Sequence, residues 1–199
     1  MRPRHHASLA HGLRASMVTI GLAAVFLAPA SNAGPSRQPE ADRAGSVQAF
    51  NQIAQVMRHA RCMNCHTQTE FPNQGENSHP HEQMVRRGVD GKGAAWLRCV
   101  ACHQSENTAG GRVPGAPGWR LAPVHMAWER TMTDKALCEM LKDKETNGNR
   151  DGAKLLEHLT TDHLVQWAFE PGARSPPPVS QLVFHQSVAL WVRSGTECP

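Results

Sequence analysis

The chain has little that would direct it to a nucleic acid, a bilayer or a β-rich fold. Its charge is nearly balanced, with 21 Lys+Arg against 17 Asp+Glu and a net +4. Arg2, Arg4 and Arg14 supply three of those positive charges in a stretch, residues 1–33, that holds no acid, so the remainder carries about +1. Binding to phosphates needs clustered basic residues, and Arg86-Arg87 is too short to be such a cluster. No nucleic-acid partner and no polybasic membrane segment are expected. After residue 28 no apolar run approaches the ~20 residues that span a bilayer, so no stable membrane anchor is expected. No segment alternates apolar and polar residues as a half-buried strand does. No distal acid–base constellation of the kind an enzyme uses stands out.

What is present starts with an export signal. Three arginines precede an apolar stretch from Ala15 to Ala28, and Ser31-Asn32-Ala33 offers small residues where a signal peptidase reads. Residues 1–33 are expected to be a cleaved signal peptide, which places the protein in the periplasm. No cysteine lies near the cleavage site to carry a lipid. Residues 34–45, rich in Pro, Ser and charge, read as a flexible leader, and residues 46–199 as one domain.

Two copies of one pentapeptide then dominate the chain: Cys62-Met63-Asn64-Cys65-His66 and Cys99-Val100-Ala101-Cys102-His103. Two cysteines three apart with histidine directly after the second is the pattern that attaches haem c. Each thiol bonds one vinyl group, and the adjacent histidine reaches the iron from the proximal side. Two covalently bound haems c are expected, on Cys62, Cys65, Cys99 and Cys102, with His66 and His103 as proximal ligands. A four-cysteine zinc site and a pair of thioredoxin-like dithiols use the same cysteine spacing. Neither accounts for a histidine after both pairs.

The fold expected around them is mostly α, a small cytochrome c-like helical domain with long haem-wrapping loops. Val47, Phe50, Ile53, Ala54 and Met57 follow helical spacing behind a Ser46 cap, over a helix reaching about Arg61. Residues 67–93 and 110–123 are punctuated by Gly and Pro and read as loops. Thr133 reads as the cap of a helix bearing Leu137, Met140 and Leu141, ended by Asn147-Gly148. A further helix is expected over Asp151–Phe169, and a last one from Ser180 bearing Phe184, Val188, Trp191 and Val192.

The whole chain after the signal resembles a family of small exported dihaem cytochromes often labelled isoquinoline 1-oxidoreductase subunits. The matching stretches are Arg61–His66, His79-Pro80-His81 with Arg87-Gly88, Pro114–Trp119 with Leu121-Ala122-Pro123, Leu141-Lys142-Asp143, and Asn147-Gly148. The resemblance implies a redox protein partner, a molybdenum-containing oxidoreductase. Nothing in the chain itself suggests molybdenum binding.

Each iron needs a sixth ligand or an open site, and that choice separates carrier from enzyme. His81, ahead of its neighbour His79, stands in a loop able to drape over a porphyrin, and Met126 sits in a non-helical segment between Trp119 and Trp128. His125, His158 and His163 are the alternatives. Arg86, Arg87 and Arg120 are candidates for the haem propionates. Cys138 and Cys198 are left over, and an even pair in an oxidising compartment points to a disulfide. The functions that follow are single-electron transfer between a dehydrogenase and a downstream acceptor, or small-molecule or peroxide reduction at one open iron.

Overall fold

Phe50, Ile53, Ala54 and Met57, at helical spacing and fully buried, seat the first helix, α1 (Glu40–Met57), in the core. The structure, a computed structural model, describes residues 40–199; the signal peptide, its cleavage site and residues 34–39 of the leader lie outside the described residues. The helix starts six residues before Ser46, with Asp42 suited to its positive N-terminal end. Ser46 is therefore not a cap. Its buried hydroxyl accepts from the Glu197 amide at 3.1 Å, which ties the C-terminal tail to α1.

The fold is mostly helical, with six α-helices among the described residues. A short α2 (Ala60–Met63) follows α1 and carries the first motif cysteine. The expected cap of α3 (Asp134–Lys142) is in place, Thr133 accepting from the Ala136 amide at 3.1 Å. The helix expected over Asp151–Phe169 is two: α4 (Gly152–Thr161), capped by Asp151, and α5 (His163–Trp167). Asp162 breaks them, because its extended backbone (ψ 130°) frees the carboxylate to accept from the Leu164 amide at 2.9 Å. The last helix, α6 (Gln181–Arg193), starts beside Ser180 as expected, and the Ser180 hydroxyl caps it.

Helices α1, α3, α4 and α6 share the core. Phe50 meets Trp191 with ring centres 5.4 Å apart, and Leu137, Phe184 and Val188 fill the space between. Cys138 of α3 and Cys198 of the tail form the expected disulfide, their Cα atoms 5.7 Å apart. From Asn64 to Thr133 the chain has no α-helix, only 3-10 turns and two antiparallel hairpins of two-residue strands: β1 (Asn73–Gln74) with β2 (His79–Pro80), and β3 (Gly93–Ala94) with β4 (Leu97–Arg98). Strands this short leave no alternation to read in the sequence. Buried Arg87 braces this stretch, donating to the Thr67 and Thr69 carbonyls at 2.8 and 2.9 Å and to the Ala122 carbonyl.

Candidate functional site

Each pentapeptide opens onto its own cavity. Cys62 and His66 line one of about 450 Å³, and Cys99, Cys102 and His103 line one of about 660 Å³. Both volumes fall within the ~300–1,000 Å³ of cofactor pockets. Cys65 lines both cavities, as do Arg61, Trp119, Arg120 and Trp167, so the two sites share a wall.

The two motif histidines are held alike. His66 Nδ1 lies 2.7 Å from the Met126 carbonyl, and His103 Nδ1 lies 2.7 Å from the Pro114 carbonyl. A carbonyl only accepts, so each Nδ1 carries the hydrogen and each Nε2 keeps its lone pair. That is the tautomer in which a histidine binds a metal through Nε2, with a second bond fixing the ring. Each ring also lies on an indole: His66 on Trp128 at 4.1 Å between centres, His103 on Trp119 at 4.5 Å and nearly parallel. Burial lowers the pKa of both imidazoles, that of His66 to about 4, which keeps them in the neutral, ligating form.

Long-range packing sets these acceptors. Pro114 is followed by buried Gly115, whose Cβ, were there one, would stand 2.0 Å from the Glu106 carbonyl oxygen. Asn107 Oδ1 accepts from the Gly115 amide at 3.1 Å and from Trp167 Nε1 at 2.9 Å. Trp167 in turn meets Trp119 edge-on at 4.9 Å, behind His103. On the other side Trp128 donates to the Met57 carbonyl at 3.0 Å, fastening the His66 wall to α1.

Burial pushes the Cys62 thiol up to about 12 and the Cys65 thiol up to about 11. Arg61 Nε, Asn64 Oδ1 and His81 Nδ1 are buried without a protein hydrogen-bond partner, and all three residues line the larger cavity.

The expected distal candidates separate clearly. His81 faces His103 with ring centres 6.2 Å apart and planes at 68°. Two imidazoles on opposite sides of one metal, with bonds of about 2.0–2.1 Å, have ring centres about 6.4 Å apart. His79 does not join them: it is turned to Asn77 at 2.6 Å and Gln74 at 3.2 Å. Met126 lines the smaller cavity. Its own carbonyl holds His66 Nδ1, which sets its backbone behind the ring, opposite Nε2, and its sulfur lies against Gly148. His158 lines the smaller cavity; His125 also lines it but is exposed, and His163 is exposed and lines neither cavity. Of the propionate candidates, Arg87 is spent on carbonyls and Arg86 lies over Phe71 at 5.3 Å, while Arg120 lines both cavities. Arg61, not singled out in the sequence, lines both as well.

No family model, curated relative or solved structure matches the chain.

Proposed function

We propose that the protein is a periplasmic dihaem c-type cytochrome that passes single electrons between a dehydrogenase and a downstream acceptor. The observation that carries this reading is the matched pair of motifs, each lining a cavity with its histidine fixed through Nδ1 at 2.7 Å and its Nε2 free. Cys62, Cys65 and His66 would hold one haem; Cys99, Cys102, His103 and His81 would hold the other. Attachment needs no oxidant: each S–H adds across a vinyl C=C, sulfur to one carbon and hydrogen to the other. When bound, the haems supply reversible one-electron exchange at iron. The chain's own part is to orient the imidazoles, exclude water with Trp119 and Trp128, and offer Arg61 and Arg120 to the propionates. The family resemblance supports a molybdenum-containing oxidoreductase as the partner.

The test is the intact mass of denatured protein made with a working haem-attachment system. Two haems per chain are expected, and a mass without them sinks the reading. Carbon monoxide added to the reduced protein then separates carrier from reductase. Two inert irons support the carrier, and rapid binding at one iron supports reduction at an open site.

A further inference from the structure

On α4, Leu155, His158 and Leu159 line the smaller cavity, a spacing of three and one that puts them on a single helical face. His158 is the one polar side chain of that face. Its Nδ1 lies 3.6 Å from Asp162 Oδ2, and its Nε2 has no hydrogen-bond partner among the described residues. Asp162 is not free to turn away. The carboxylate accepts from the Leu164 and Val165 amides at 2.9 and 3.4 Å and faces Arg120 Nη2 at 3.6 Å. The break that ends α4 therefore delivers a fixed carboxylate to the back of a cavity-lining histidine. Carboxylate, histidine and metal in series is the arrangement that orients ligating imidazoles.

His125, Met57, Met126 and Met140 line the same cavity. Met126 and Met57 belong to the His66 wall, through the bonds from His66 to Met126 and from Trp128 to Met57. Met140 packs against the core cluster from α3.

We infer that His158 is the sixth ligand of the iron held by His66 and that Asp162 is its positioning residue. The inference rests on the dihaem reading above. It makes both irons bis-histidine, with His66 and His158 at one and His103 and His81 at the other. With its charge 3.6 Å from Nδ1, the Asp162 carboxylate makes the His158 ring a stronger donor, which favours ferric iron in the first site.

The test uses the full chain with both haems attached, counted by mass. His158→Ala should turn one haem of the two from low-spin to high-spin and give it carbon monoxide binding. His158→Met, which keeps a ligand in place if the alanine variant does not fold, should bring in the weak long-wavelength band of sulfur on ferric haem. Asp162→Asn should leave both haems low-spin and raise one midpoint only; a tenfold change in relative affinity for the two oxidation states reads as about 59 mV for one electron. Asp162→Glu should restore most of that shift. A wild-type sulfur band would assign the ligand to a methionine and overturn the inference. So would two unchanged low-spin haems in both His158 variants, or an Asp162→Asn shift that is absent or equal at both irons. Absence of haem by mass would instead bring down the dihaem reading itself.

Discussion

Asp90 shows how a single side chain prepares the second motif. It receives Arg98 at 2.6 and 3.2 Å and the Lys92 amide at 3.0 Å, across the β3–β4 hairpin that leads into Cys99. The Arg98 guanidinium, bonded to it, holds its carboxyl at about 2, below the ordinary 3.8, and the amide adds to this. A carboxyl lowered in the folded state stabilises fully above its unfolded pKa and loses that contribution as pH falls through the folded value. Asp90→Asn should therefore lower thermal stability at pH 6, and the gap to wild type should close between about pH 4 and pH 2. The pair is solvent-exposed, so the gap should be small. Melting curves of both proteins across that range check it, and a gap that persists at pH 2 would refute the assignment. The same scale marks what the sequence could carry. The cysteine pairs, their histidines, the Thr133 cap and the Cys138–Cys198 pairing rest on residue type and spacing alone. The acceptors of His66 and His103 do not: Met126 lies 60 residues from its histidine, and its part is played by a backbone carbonyl, which every residue has.

At the scale of elements, what matters is where helices stop. Apolar residues run on past Asp162, so periodicity favours one long helix. The aspartate wins because its side chain satisfies the amides of the next turn, a competition that local pattern does not reveal. The second site depends in the same way on the segment at Gly115, which lies against residues 104–106 closely enough to exclude a side chain. Gly115→Ala would force that backbone apart, and overpacking of this kind costs about 1–3 kcal/mol. Because Pro114 carries the acceptor for His103, the damage should be selective. The expected result is a lower melting temperature together with a changed potential or spectrum at one haem, the other staying as in wild type. Equal change at both haems, or none, would mean that this segment does not set the His103 ring.

The whole molecule divides into a part that packs on itself and a part organised around two cavities. Helices α1, α3, α4 and α6 bury the large apolar side chains, and the Cys138–Cys198 bridge closes that core around the tail. Residues 64–133 contribute far less to it. Apart from Trp128, their buried apolar side chains are Ala94, Ala116 and Leu121. Cavities of about 450 and 660 Å³ lie where their packing partners would be. Net stabilities of domains are only about 5–15 kcal/mol, so on the dihaem reading a segment this poor in buried apolar side chains orders with its cofactors, as metal-dependent domains do with theirs. Replacing Cys62, Cys65, Cys99 and Cys102 together by Ala removes covalent attachment while leaving the core sequence intact. In that chain, amide hydrogen exchange should stay slow in α1, α3 and α6 and become fast throughout residues 64–133. The haem-bearing protein should protect both regions. Unchanged protection of residues 64–133 in the substituted chain would mean that the protein alone builds these walls, and that the loops are a rigid scaffold rather than a wrapping that closes on its haems.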